Sequence, residues 1–299
     1  MVGNRRPDFL IVGAPKCGTT ALSRYLTDHP QIHVASRKDL HFFGSDLGFT
    51  QRKRLSGAEY LEHFSPAKTS LRVGEASVWY LYSKVAAAEI AGFDPCMKII
   101  IMLRNPVDMM HALYTQLRFN GLGDEDLDRF EDALEAESAR AEGRCLPPQT
   151  PLPEGLLYRR VAKFSEQIMR YKRYFPADQI CFVLHSDLRS DTPGVYRNVL
   201  EFLGVDTEFT PEFPVVNSSK VTRSEGLRKI VLSVPSWLKD SIPNPLRLAV
   251  RSRFRHWNTV HQSRPRLSPQ LRQRLLREFH PEVTAVSALI NRDLSHWLE

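Results

Sequence analysis

An apolar run, Phe9-Leu10-Ile11-Val12, passes directly into Gly13-Ala14-Pro15-Lys16-Cys17-Gly18-Thr19-Thr20-Ala21. The run reads as a buried strand, and Thr19–Leu26 has the spacing of a helix. A strand, a glycine-containing turn and a helix N-terminus together make an anion site. Unpaired backbone N–H groups and the positive end of the helix dipole converge there. Gly13 and Gly18 allow close backbone approach, Lys16 brings a full charge, and the threonine hydroxyls add donors. The expected ligand is a phosphate or a chemical relative of phosphate.

The loop departs from the nucleotide triphosphatase pattern G-x-x-x-x-G-K-[ST]. Gly13 and Gly18 keep that spacing, but Thr19 stands where the lysine belongs, and the lysine lies at position 16. A second strand, Met97–Leu103, runs into Arg104-Asn105-Pro106. A strand end that helps to hold magnesium is usually acidic; an arginine suits a second phosphate. Pro106 fits the first turn of a helix, where a missing N–H costs nothing.

These segments resemble sulfotransferases that use 3′-phosphoadenosine 5′-phosphosulfate (PAPS). P-K-C-G-T-T is similar to the family's 5′-phosphosulfate loop, and L-R-N-P-V-D to its 3′-phosphate motif. Lys38-Asp39-Leu40-His41-Phe42-Phe43 resembles K-E-x-H-F-F, and Gly74-Glu75-Ala76-Ser77-Val78-Trp79-Tyr80-Leu81 resembles G-E-x-S-x-x-Y-L. Arg292-Asp293-Leu294-Ser295-His296-Trp297 resembles the closing G-R-D-L-x-x-W. The motifs stand in the family's order along nearly the whole chain, closest to its carbohydrate, Golgi-like branch. Golgi members carry a membrane anchor; the N-terminus here leads straight into a strand, which points to a bacterial, cytoplasmic enzyme.

The formal charge of +7 and pI near 9.3 suit acidic partners: a nucleotide, an anionic glycan or a lipid head group. Nucleic-acid recognition motifs are lacking. The 4 cysteines have neither zinc spacing nor scaffold density, so reduced thiols are expected. Cys17, at a helix N-terminus, is placed to favour the thiolate.

Strands are expected at Phe9–Val12, His33–Ala35, Arg72–Glu75, Met97–Leu103 and Ile180–Leu184. Helices are expected at Thr19–Thr27, Ala58–His63, Lys84–Ala91, Val107–Phe119, Leu157–Phe175 and Ser268–Ile290. This alternation predicts one α/β domain over residues 1–299, a P-loop-like three-layer α/β/α fold with a mostly parallel central sheet and a helical C-terminal extension. Residues 124–153 read as an insertion: an acidic helix, Asp124–Glu142, then the proline-rich Leu146–Pro153. It is either a lid over the acceptor or a solvated face. Within the basic C-terminal region 221–299, Val221–Trp257 interleaves arginine and lysine with apolar residues, as in a surface-seeking helix on an anionic membrane or a helical cover over the substrate.

The resemblance implies roles. Lys16 neutralises charge growing on the bridging oxygen, while Thr19, Thr20 and the N–H groups around Cys17, Gly18 and Ala21 hold the 5′-phosphate. No metal is expected. Asp39 stands at the position of the family's glutamate base, one methylene shorter; His41 and Glu75 are alternatives. His41 could equally hold its loop, and Glu75 could anchor basic neighbours. Arg104 grips the 3′-phosphate, with Lys220 and Arg223 as further partners. Ala112 replaces the family's serine, and Met109 a frequent arginine. Thr115 lies on roughly the same helical face as Ala112. Losing that hydrogen bond costs about 1.5–3 kcal/mol, so PAPS binding is expected to be weakened and Ala112→Ser to tighten it. Tyr158 lies near the adenine or in the core. The reaction expected is sulfuryl transfer to a hydroxyl of a carbohydrate, glycosylated or lipidic acceptor. Its rivals are a P-loop kinase and a non-catalytic relative that binds nucleotide or anionic lipid.

Overall fold

The computed structural model describes residues 5–49, 53–67, 69–120, 124–148, 150–214, 220–222, 259–261 and 266–299, the segments 220–222 and 259–261 by backbone alone. β1 (Phe9–Gly13) and β4 (Lys98–Leu103) are continuous apolar runs, buried along almost their whole length. Such runs suit strands covered on both faces. With β2 (Ile32–Val34), β3 (Arg72–Ala76) and β5 (Ile180–Leu184) they form a parallel sheet in the order β2-β3-β1-β4-β5. Phe9 pairs with Gly74 on one side and Lys98 on the other, and Ile99 pairs with Ile180. The chain leaves β1 toward β2 and leaves β4 toward β5. The crevice between β1 and β4 is therefore the topological switch point, where ligands of open parallel sheets bind.

The helices are α1 (Thr19–Thr27), α2 (Gly57–Glu62), α3 (Ala86–Phe93), α4 (Pro106–Asn120), α5 (Phe130–Glu135), α6 (Glu137–Ala141), α7 (Tyr158–Val161), α8 (Phe164–Lys172), α9 (His185–Ser190), α10 (Thr192–Leu203) and α11 (Pro269–Ile290). Their ends follow local chemistry. Ser56 and Glu59 make a reciprocal capping box on α2, and Asp191 accepts from the N–H of Gly194 at the start of α10. Ser268 caps α11 ahead of Pro269, and Asn291 closes it at φ 52°. Among the described residues no helix is long and apolar enough to cross a membrane.

Two expected helices are broken, each for a tertiary reason. Leu157–Phe175 divides into α7 and α8 around Lys163, which is not helical at ψ 74°. Glu282 of α11 supplies the new N-terminus, accepting from Ser165 N at 2.7 Å and Ser165 Oγ at 2.9 Å, while Gln167 Nε2 donates to the Val161 carbonyl at 3.0 Å. The acidic stretch Asp124–Glu142 becomes helical only at α5 and α6, because Glu125 turns into the core. There Arg140 donates to both its oxygens at 2.8 and 2.7 Å, and Tyr158 Oη donates at 2.6 Å. Burial works to raise the Glu125 carboxyl, but these bonds leave it below the ordinary carboxylate value. The stretch is thus no merely solvated face. Arg140→Met leaves the buried Glu125 carboxylate without its counter-ion and is expected to cost about 3–5 kcal/mol, read as a lowered denaturant midpoint; an unchanged midpoint contradicts the pair's role.

β6 (Lys220–Thr222) and β7 (Thr259–His261) form an antiparallel pair, Lys220 opposite His261. Arg223 and nearly all of the basic stretch Val221–Trp257 lie outside the described residues, and so does its expected helix.

Candidate active site

The turn after β1 is built by its glycines. Gly13 sits at φ 148°, where an added Cβ would lie 2.7 Å from the Val78 carbonyl oxygen and 2.8 Å from Leu81 Cβ. Gly18, at φ 95°, opens α1 with a Cβ position 3.1 Å from Leu188. The conformation disfavours larger side chains at both positions, and at Gly13 the space excludes them as well. Ala14 N donates to the Met102 carbonyl at 2.7 Å and Leu81 N to the Val12 carbonyl at 2.8 Å, fixing the turn to β4 and to the segment after β3.

A cavity of about 390 Å³ opens above this turn, and every strand of the sheet contributes its carboxyl end. β1 leads to Pro15, Lys16 and Gly18, β2 to Lys38 and Asp39, β3 to Val78 and Trp79, β4 to Arg104, and β5 to His185. Thr19, Thr20 and Ala21 of α1 complete the floor. From α4 come Leu113, Gln116, Leu117 and Asn120, spaced as one helical face. Three cations thus meet a helix N-terminus, and Asp39 faces them.

The expected residues Lys16, Gly18, Thr19, Thr20, Ala21, Arg104 and Asp39 come together here. Lys16, at φ 62°, donates to Gln116 Oε1 at 3.0 Å, and Arg104 Nη1 reaches the Lys16 carbonyl at 3.5 Å. Gln116 Nε2 donates to Asn120 Oδ1 and Asn120 Nδ2 to Asp124 Oδ2, each at 2.7 Å. Asp39 Oδ1 accepts from Val78 N at 3.2 Å.

A polar residue not foreseen in a binding role is Lys38. Its ammonium donates to Thr19 Oγ1 at 3.1 Å and Thr20 Oγ1 at 2.7 Å, so it adds a second lysine charge to the loop. Burial lowers its pKa, and the nearby Asp39 carboxylate works the other way. The signal was its place at the head of K-D-L-H-F-F. Gln116 and Asn120 could have been found from the helical spacing after Arg104, and His185 from its position just beyond β5.

Other expectations are corrected. Tyr158 is 0% exposed and bonded to Glu125, in the core and away from the cavity wall. Ala112 is buried at 1% exposure and is not one of the residues that line the cavity, although it stands one helical turn before Gln116, which does. Thr115 is no substitute there, since its hydroxyl donates to the His111 carbonyl at 2.7 Å. Glu75 is 0% exposed and surrounded by hydroxyl groups, not by bases, which removes it as a base toward this cavity. His41 lines an adjoining cavity of about 320 Å³, stacked on Phe49 with centroids 4.0 Å apart. Trp79, Leu117 and Asn120 border both cavities, and the two ends of the insertion, Asp124 and Thr150–Leu152, reach the second.

Cys17 turns its sulfur inward, donating to the Pro15 carbonyl at 3.4 Å, so only its backbone belongs to the loop. Burial pushes its thiol up to about 12, outweighing Arg104, the backbone of Ala14 and Lys16. In the native chain, Cys17 is expected to resist alkylation at pH 8 while the exposed Cys96 and Cys145 react. Peptide mapping that found Cys17 labelled as fast as they are would contradict this burial.

A family model for the sulfotransferase domain matches residues 6–275. The human bifunctional heparan sulfate N-deacetylase/N-sulfotransferase 2 is 28% identical over 208 residues, 68% of this chain and 22% of that protein. Mouse heparan sulfate glucosamine 3-O-sulfotransferase 6 is 28% identical over 220 residues, 73% of this chain and 58% of that protein. The chain therefore spans less than two thirds of the length of these curated relatives. A crystal structure of a sulfotransferase from Alicyclobacillus acidocaldarius matches with a TM-score of 0.73 and 29% identity, covering 99% of this chain and 100% of that one. A shifted lysine in the first turn, an arginine at the end of β4 and this match over most of the chain have one reading: the chain belongs to the sulfotransferase family.

Proposed function

We propose that this chain transfers a sulfuryl group from PAPS to a hydroxyl of a carbohydrate, glycosylated or lipidic acceptor. The observation that carries the reading is the convergence of Lys16, Lys38 and Arg104 on the N-terminus of α1, with Asp39 across the same cavity. That donor set fits a phosphosulfate: cations and backbone N–H groups for the oxygens, and two hydroxyl groups that accept from Lys38. PAPS, when bound, supplies the sulfuryl group and a phosphate leaving group.

The protein's own part is positioning and charge stabilisation. Lys16 neutralises the leaving oxygen, and Thr19 and Thr20 hold the 5′-phosphate. Arg104 takes the second phosphate, with Lys220 and Arg223 as partners. Asp39 accepts the proton of the acceptor hydroxyl. It is shorter than glutamate, and it lines the cavity from a backbone at φ 58°. The acceptor lies toward the adjoining cavity, whose Trp79, Phe49 and His41 rings suit the face of a sugar. The heparan sulfate enzymes named above favour a glycan. The four free thiols suit a reducing, cytoplasmic setting.

Calorimetric titration with adenosine 3′,5′-bisphosphate tests the donor site. Saturable binding that PAPS competes away is expected; no binding removes the reading. Labelled PAPS offered with neutral sugars, glycolipids and heparan-type chains then identifies the acceptor.

A further inference from the structure

Glu75 lies at the end of β3, 0% exposed, and three hydroxyl groups converge on it. Ser77 Oγ donates to Oε2 at 2.7 Å, while Tyr80 Oη and Tyr60 Oη donate to Oε1 at 2.8 and 3.0 Å. Two of these hydroxyls accept in turn from the K-D-L-H-F-F segment: His41 N donates to Ser77 Oγ at 3.3 Å and Phe42 N to Tyr80 Oη at 2.9 Å. That segment carries Asp39 and His41 at φ 58° and 53°, a conformation that side-chain-bearing residues seldom hold without outside support.

We infer that the Glu75 carboxylate is a positioning residue, which orients the Ser77 and Tyr80 hydroxyls so that their lone pairs hold the backbone bearing Asp39 and His41. A hydroxyl has one proton to give. An ionised carboxylate only accepts, so it draws both protons inward and leaves both outer lone pairs for the His41 and Phe42 N–H groups. An amide in its place has one accepting and one donating end, and whichever hydroxyl meets the NH₂ must turn its proton elsewhere. That hydroxyl keeps a second lone pair for its backbone N–H, but its proton no longer anchors it to position 75, so one of the two tethers is weakened whichever way the amide is placed.

Burial raises the Glu75 carboxyl to about 7, against the hydrogen bonds from Ser77, Tyr80 and Tyr60 and with the Asp39 carboxylate adding to the rise. Tyr60 and Tyr80 are pushed well above the ordinary phenol value, chiefly by burial, so they stay donors. The tether is therefore complete above about pH 7. Because the folded carboxyl titrates above the unfolded one, ionising Glu75 costs stability, and the cost accrues as pH rises toward and through about 7. Wild type should lose stability over that window relative to Glu75→Gln, and unfolding midpoints measured across it separate a loss of turnover from a loss of fold.

This inference rests on Asp39 serving as the base, and its test separates the two. Amide hydrogen exchange at pH 8 is compared in wild type, Glu75→Gln, Ser77→Ala and Tyr80→Phe. Ser77→Ala is expected to deprotect the His41 amide and spare Phe42, Tyr80→Phe to do the reverse, and Glu75→Gln to deprotect one of them. The Glu75→Gln kcat is expected to fall roughly 10–100-fold with adenosine 3′,5′-bisphosphate affinity unchanged. Full protection of both amides in Glu75→Gln overturns the inference, as does a fall in nucleotide affinity and unfolding midpoint that matches the fall in kcat. If Glu75→Gln does not fold, the two single-hydroxyl variants decide by the same exchange pattern. If wild type shows no turnover with any acceptor, the transferase reading fails, and the amides alone still decide the role of Glu75.

Discussion

Lys16→Ala is expected to lower kcat by about two to three orders of magnitude while leaving the fold intact. The loss is large because the charge that Lys16 meets is mostly made during the reaction: the oxygen leaving sulfur gains negative charge as the bond breaks. An interaction stronger in the transition state than in the bound state acts on kcat. Lys16 is well placed for this. It stands in the turn at the end of β1, and its ammonium is held at 3.0 Å by Gln116 on the facing helix. Lys38 and Arg104 remain in the variant, so nucleotide binding is expected to weaken less than turnover. Labelled PAPS with wild type and variant side by side measures the effect. Equal product from both contradicts the role given to Lys16.

Asp39→Asn is expected to reduce kcat by about 10²–10⁴, the span that positioned general bases contribute. The substitution is informative because it changes little else. Asn accepts the Val78 N–H through its carbonyl as Asp39 does at 3.2 Å, and it tolerates the left-handed backbone at φ 58°. What disappears is the proton acceptor. Nucleotide affinity, read by titration with adenosine 3′,5′-bisphosphate, is expected to stay near the wild-type value. A rate within a few fold of wild type would move the base elsewhere, and His41 in the adjoining cavity would be next in line.

The cation- and hydroxyl-lined half of the cavity was legible residue by residue because its chemistry is local. A glycine at positive φ, a lysine in the turn and hydroxyls at a helix start are neighbours in the chain, so their spacing reports their geometry. Arg104 was legible for the same reason, as the residue directly beyond a continuous apolar strand. Helix faces were read less well. Ala112 and Thr115 were chosen for the nucleotide by position, whereas α4 turns Leu113, Gln116, Leu117 and Asn120 to the cavity. A one-residue error in register turns a helix by about 100°, enough to exchange a wall residue for a core residue. Tyr158 and Glu125 were hidden more deeply. The Glu125–Arg140–Tyr158 cluster joins residues far apart in sequence, and an acidic run gives no sign that one of its carboxylates is buried.

By itself the sequence determined the parallel sheet and the glycine-dependent turn that brings Lys16 to a helix start. Continuous apolar runs, glycine-dependent turns and helix starts depend on a few adjacent residues. Only the tertiary structure decided that Lys38 joins Lys16 at the loop, that Glu282 splits α7 from α8, and that Glu75 faces hydroxyls in the core rather than substrate. Each of those outcomes turns on which distant side chain fills a buried space or satisfies a buried polar group, and that is settled when the layers pack.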